Sequence, residues 1–308
     1  MSRSNQRTAY GQALVELGAQ NPDVVVLDAD LCKSTQSVMF QDAYPNRFFE
    51  MGIKEQDMLS TAAGLAASGK TAFASSFAVF VAGRAYDQIR QTISIGKLNV
   101  KICGSSAGLS DFGDGSTHQS LDDMAIMNVI PNMVVLTPAD ANETKAAVHA
   151  AAAHEGPVYI RVCRNDVLDV TPADQPFEIG KMHVLREGSD AVIFAMGTMV
   201  ERALEAAEQL AKENVQVKVV NVSTLKPFNA EAARELVAGC KAVLAAEEAS
   251  YIGGLTGALA TALRKCAVPM DYVAIEDVFG QSAHSAEELM DYYGLTAENI
   301  VSKLKAML

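Results

Sequence analysis

Two α/β domains, the first built on a parallel sheet, are the fold this sequence predicts. Near-continuous apolar runs of strand length recur along the chain. Amphipathic helical patterns separate them. The alternation stops once, over Asp166 to Arg186, where Pro172, Pro176 and several polar residues fall, and then resumes. Apolar strands separated by helices mean a sheet covered on both faces. The domains are therefore expected at 1–170 and 186–308, with a linker over 171–185.

In chain order, Thr8–Ala19 reads as a helix and Val24–Leu27 as a strand. Arg47–Met51 is extended, and Glu55–Ala67 is helical, with Met58, Leu59, Ala62 and Ala63 on its apolar side. Thr71–Ala74 and Val100–Cys103 are strands flanking a helix over Ala78–Ile95. Met133–Leu136, the helix Asn142–His154 and Val158–Val162 complete the first domain. The second runs as strand Ala191–Met196, helix Met199–Lys212, strand Val217–Val222, helix Ala230–Val237 and strand Ala242–Ala246. Helix Leu255–Leu263, strand Tyr272–Ile275 and terminal helices close it.

The 308 residues carry 37 acidic and 25 basic side chains, a net charge of −12. Nucleic acid is excluded as a partner, because phosphate backbones need clustered Lys and Arg. Runs such as Ala191–Met196 are too short to span a bilayer, and no signal-like apolar segment follows the basic N-terminus. The expectation is a cytoplasmic protein. Five cysteines are scattered without a C-x-x-C pair, so neither a disulfide framework nor a metal site is expected in this chain.

The most informative stretch is Gly52-Ile53-Lys54-Glu55-Gln56-Asp57-Met58. It sets a carboxylate where an extended segment becomes an apolar helix. A helix-start acid favoured by the macrodipole explains Glu55 without chemistry. Yet an acid at a core boundary needs a partner. Phe77, Phe80 and Arg84, spaced i, i+3, i+7, read as one helix face. They are a core stripe, or a platform at a strand end, where open α/β sheets bind ligands. A polar loop, Asp114-Gly115-Ser116-Thr117-His118-Gln119, adds an acid and a histidine suited to proton or hydroxyl contacts. An acid, an aromatic platform and this loop suit a flat cofactor better than a bare hydrolytic site.

Two motifs compete. Gly104-Ser105-Ser106-Ala107-Gly108 matches G-x-S-x-G, which would make Ser106 a hydrolase nucleophile. That motif turns directly into a helix, whereas a glycine-rich loop continues here. Gly113-Asp114-Gly115 with Asn142 mimics a metal-binding Gly-Asp-Gly…Asn signature, but a helix and a strand lie between. Gly253-Gly254-Leu255-Thr256-Gly257 lacks the G-x-G-x-x-G spacing of a dinucleotide site.

Taken together, the chain resembles the C-terminal portion of transketolase along its whole length. The resemblance rests on Asp28-Ala29-Asp30-Leu31, Gly52-Ile53-Lys54-Glu55-Gln56 and Ser76-Phe77-Ala78-Val79-Phe80. It also rests on the Asp114–Gln119 loop, Thr137-Pro138-Ala139-Asp140, Arg161-Val162-Cys163-Arg164-Asn165 and Phe279-Gly280-Gln281-Ser282-Ala283. It implies a thiamine-diphosphate pyrimidine-binding domain followed by the smaller transketolase C-terminal domain. By resemblance, Glu55 matches the glutamate that hydrogen-bonds the cofactor's aminopyrimidine. Phe80 matches the aromatic stacked on that ring, with Phe77 beside it and Asp30 an acid nearby. His118 and Asp114 match substrate contacts, and Arg7, Ser34 and Arg164 a sugar-phosphate grip. Gly104 stands where the family has a histidine of the phosphate site.

The family's diphosphate domain, with its Mg²⁺ ligands, is expected on a partner subunit. The resemblance thus implies one half of a split transketolase, assembled as an α2β2 heterotetramer and transferring a two-carbon ketol unit between sugars. A deoxyxylulose-phosphate-synthase-like or other thiamine-dependent carboligase subunit is the nearest alternative. A serine hydrolase on Ser106 and a non-catalytic scaffold subunit are more remote ones.

Overall fold

The computed structural model describes residues 2–308. Its first sheet has seven strands. In spatial order they are Thr224–Lys226, Val134–Leu136, Val158–Arg161, Val100–Ser105, Thr71–Phe77, Val24–Asp28 and Phe48–Glu50. All pair in parallel except Thr224–Lys226, which lies antiparallel to Val134–Leu136. The central strands are buried along their whole length, as in Val24-Val25-Val26-Leu27-Asp28, which is why they read as unbroken apolar runs.

Helices Gln6–Gln20 and Ala141–Ala153 pack together on this domain, with Tyr10, Ala13 and Leu14 beside Ala147, Val148 and Ala151 in one core cluster. Glu55–Ala67 contributes Met58, Leu59, Ala62 and Ala63 to another. The second sheet runs Met270–Ile275, Ala242–Ser250, Ala191–Ala195, Val217–Asn221, then His183–Arg186 as an antiparallel edge.

Three features depart from the sequence reading. The segment expected as a linker already holds the edge strand His183–Arg186. Thr224–Lys226, between second-domain elements, returns to finish the first sheet. The expected helix Ala78–Ile95 is two π-helical segments, Val79–Arg84 and Gln88–Ser94. No helix among the described residues is long and apolar enough to cross a membrane.

The domains meet through a buried polar network. Arg161 Nε donates to both oxygens of Asp123, at 3.2 and 3.0 Å, and the Tyr159 hydroxyl donates to Asp123 Oδ2 at 2.7 Å. Arg161 Nη2 reaches the Glu248 carbonyl of the second domain at 3.0 Å. The Glu248 carboxylate accepts the Leu109 N–H at 2.6 Å and the Thr198 hydroxyl. Glu143 accepts from Asn221 and Ser223 in the same manner. Removing one charged member would leave a buried charge uncompensated.

Asp28 ends its strand fully buried, accepting from the Leu31 N–H and the Thr35 and Ser37 hydroxyls. Burial outweighs those bonds and raises its carboxyl from 3.8 to about 6. The folded chain therefore holds this proton more tightly than the unfolded one. The resulting stabilisation is complete below the unfolded value and is lost as pH rises through the folded value. From about pH 4 to about pH 7, Asp28→Asn should gain on wild type by on the order of 3 kcal/mol. Chemical denaturation across that range reads the gap; a constant gap would show that Asp28 is not raised.

Candidate active site

Parallel strands send all their carboxyl ends to one side, and most of the singled-out residues follow those ends. Glu55 comes five residues after the strand Phe48–Glu50, beyond a turn at Gly52 with φ +69°. It opens its helix and is 1% exposed. Both its oxygens accept from Arg84 Nη1, at 3.0 and 2.9 Å. The Arg84 guanidinium lies 4.8 Å from the Phe80 ring centroid, a cation–π contact made on the wide π-helical turn. Such turns recur at functional sites.

Phe77 is not on the helical face expected for it. It closes the strand Thr71–Phe77, and its ring stacks on Phe80 across the strand-to-helix turn, centroids 6.1 Å apart and planes 14° apart. His118 meets Phe80 edge-on at 5.2 Å and Phe77 at 6.3 Å. Its Nδ1 is 2.9 Å from the Thr117 hydroxyl. Glu55, Arg84, Phe80, Phe77 and His118 thus form one contiguous set.

A second set lies at the other end of the same loop. Arg164 is bonded to Asp111 and lies 3.8 Å from Asp114. Arg7 Nη1 donates to the Ser34 carbonyl at 2.9 Å. Burial and then the nearby positive charge of Arg164 lower the Arg7 pKa. Arg7 thus touches Ser34, and Arg164 lies beside Asp114. Asp30 stands aside. It holds a left-handed backbone, φ +64°, with its N–H on Glu50 Oε1 at 2.8 Å and its side chain exposed.

The competing motifs do not assemble. Ser106 is fully buried with φ +51°, its hydroxyl has no hydrogen-bond partner, and no helix follows it. Asn142 donates to the Thr171 carbonyl, away from the arginine that Asp114 faces. A Cβ on Gly104 would sit 2.1 Å from the Tyr159 hydroxyl, so Tyr159 fills the space a histidine would need.

Sequence reading missed Asp111. Its side chain has no exposure, yet it pairs with Arg164 across 53 positions of sequence. The available signal was an acid inside the Gly108-Leu109-Ser110-Asp111-Phe112 run just after a strand. Arg84 was seen as a stripe end and not as the partner Glu55 requires.

The two domains are of the pyrimidine-binding and transketolase C-terminal class. The family model for the transketolase pyrimidine-binding domain matches residues 3–168, and that for the transketolase C-terminal domain matches residues 180–300. The chain belongs to the transketolase family. It is 42% identical to a putative transketolase C-terminal section of Methanocaldococcus jannaschii, over 97% of this chain and 94% of the relative. It is 40% identical to a 6-deoxy-6-sulfo-D-fructose transketolase subunit of Clostridium sp. strain MSTE9, over 96% and 92%. A solved structure of a split-gene transketolase, described as an inactive beta4 tetramer, superposes with a TM-score of 0.92 at 48% identity, covering 99% of this chain and 98% of that one.

Arg84→Ala leaves the buried Glu55 carboxylate without its partner. It should destabilise the chain by about 1.5–3 kcal/mol. The effect should largely vanish when Glu55→Gln is already present, because the charge needing a partner is gone. A double-mutant cycle in urea checks this; additive losses would deny the pairing.

Proposed function

We propose that this chain is the pyrimidine and C-terminal subunit of a two-chain transketolase, transferring a two-carbon ketol unit from a ketose to an aldose. The observation that carries this reading is the continuity of Glu55, the Phe77–Phe80 pair and His118 at the carboxyl edge of the first sheet. The residues fit thiamine diphosphate at its ring end, with a buried acceptor for a ring N–H and flat faces beside it. When bound, the cofactor supplies the carbon nucleophile that carries the two-carbon unit. Glu55 holds the aminopyrimidine by its ring nitrogen and sets where that proton resides. Phe80 and Phe77 orient the ring and exclude water from one side. With Nδ1 engaged by Thr117, His118 keeps Nε2 for a substrate hydroxyl. Asp114 reads a further hydroxyl, and Arg7, Ser34 and Arg164 face the sugar's far end; Asp30, apart from both sets, takes no role.

The diphosphate and its Mg²⁺ fall to a diphosphate-domain subunit in an α2β2 assembly in the cytoplasm. The name of the Methanocaldococcus relative, a C-terminal section, supports a divided enzyme, and the Clostridium relative's named substrate is a sulfonated ketose. The superposed split-gene structure is described as inactive while it holds beta chains, which supports dependence on a partner.

The chain alone should bind thiamine diphosphate with Mg²⁺ poorly and transfer no ketol unit; adding a diphosphate-domain subunit should restore both. Calorimetry and a transfer assay on the purified chain measure this. Tight binding and turnover without a second polypeptide would overturn the two-chain reading. In the assembled enzyme, Glu55→Gln should cut turnover by about a hundredfold or more. Unchanged exchange of the bound cofactor's C2 hydrogen in that variant would remove Glu55 from the role.

A further inference from the structure

The arginines assigned to the sugar's far end are already compensated. Arg164 is bonded to Asp111 Oδ1 and lies 3.8 Å from Asp114 Oδ2. Asp114 is half exposed, but the Asp111 side chain has no exposure, under an Arg164 that is 40% exposed. The Asp111 backbone is pinned as well. Its carbonyl accepts from Gln119 Nε2 at 3.2 Å. The preceding Ser110 hydroxyl donates to the Ala107 carbonyl and accepts the Arg164 N–H. Asp111 therefore cannot leave Arg164 without rearranging the loop.

Its second oxygen, Oδ2, is buried without a hydrogen-bond partner, and so is Arg7 Nε. Asp166 adds a further acid near Arg7, turned onto Asn5 Nδ2 at 2.9 Å. Two cations, Arg7 and Arg164, thus share their surroundings with at least as many acids. A phosphate monoester carries about 1.5–2 negative charges at neutral pH and offers only acceptor oxygens once ionised. Brought to Arg164, it meets a fixed carboxylate on the same guanidinium. That is the repulsive element by which a site rejects one ligand while admitting another.

We propose that Asp111 is a specificity-determining residue that makes the far end of this site take a terminal group of at most one negative charge and discriminate against a phosphate monoester. The proposal rests on the ketol-transfer reading above, and it gives that site its substrate class. A monoanion uses the arginines without matching their full charge, and a hydroxyl can donate to the half-exposed Asp114 carboxylate, which a dianion only meets with repulsion.

The test is steady-state kinetics of the assembled two-subunit enzyme on a ketose series identical except at the terminal carbon, which carries phosphate, sulfonate or hydroxyl. Wild type should show kcat/KM for the phosphate no greater than for the sulfonate. Asp111→Asn should raise kcat/KM for the phosphate by about tenfold or more relative to the hydroxyl, and for the sulfonate by less. A wild type with a higher kcat/KM for the phosphate than for the sulfonate overturns the proposal, as does a variant that shifts all three equally. Should Asp111→Asn fail to fold, the wild-type ranking decides. Should the assembled enzyme transfer nothing, the ketol-transfer reading fails, and calorimetric binding of the three ketoses still reads the charge preference.

Discussion

A parallel strand cannot return to its neighbour by a tight turn, so each connection crosses a face of the sheet and every strand leaves by the same end. In this chain that end collects the chemistry. Phe48–Glu50 delivers Glu55, Thr71–Phe77 delivers Phe77 and Phe80, Val100–Ser105 opens into the loop of Asp111, Asp114 and His118, and Val158–Arg161 leads to Arg164. The pairing Gly104↔Arg161 beside Ser76↔Gly104 fixes how far each delivery reaches. Burial on both faces makes that register hard to slip, since one step would turn every core side chain outward.

The second domain matters because the site loop has little regular structure of its own. Between Ser105 and Asp123 it contains one short 3-10 turn, Gly115–Thr117. Its shape is imposed from across the domain boundary. Glu248 holds the Leu109 N–H, the Phe112 carbonyl accepts the Ala283 N–H at 2.9 Å, and Gln119 Nε2 reaches the Gln281 carbonyl at 2.9 Å. Gly280 and Gly115 permit close approach; a Cβ on either would strike Gln119 or Ser282. The Phe279–Ala283 motif thus acts as a cradle for the loop that carries His118. A structural role in one domain and a chemical one in the other are a single set of contacts.

Elements set by local signals were legible in the sequence. Glu55–Ala67 and Leu255–Leu263 have the expected bounds, because a glycine turn or a glycine pair precedes an apolar helical run in each. The missed elements are those that only a distant partner creates. Arg3–Asn5 pairs with Asp166–Leu168, and Thr224–Lys226 with Val134–Leu136; three residues carry no periodicity to read. The π-helical turns look like an α-helix in sequence, since their side chains are the same and only the hydrogen-bond spacing differs. Site residues showed the same division. Glu55 announced itself at a polar-to-apolar boundary, whereas Asp111 gained meaning only once Arg164 lay beside it.

The two ends of the site repeat one electrostatic arrangement. Glu55, with 2% of its side chain exposed, lies under an Arg84 that is 49% exposed; Asp111, with none, lies under an Arg164 that is 40% exposed. A buried carboxylate without a partner is costly, so the arginine stays on it, while the exposed half of the guanidinium keeps N–H groups for water or a ligand. In each pair the acid is the covered member and the arginine the one that meets solvent. A chain of net charge −12 presents cations at this surface by holding acids beneath them. On the proposed function, the arginines meet an anionic ligand at short range and the acids beneath them limit how much negative charge can stay. On that reading the Glu55 end is matched to a ring that donates a hydrogen bond, and the Asp111 end to a terminal group with little charge of its own.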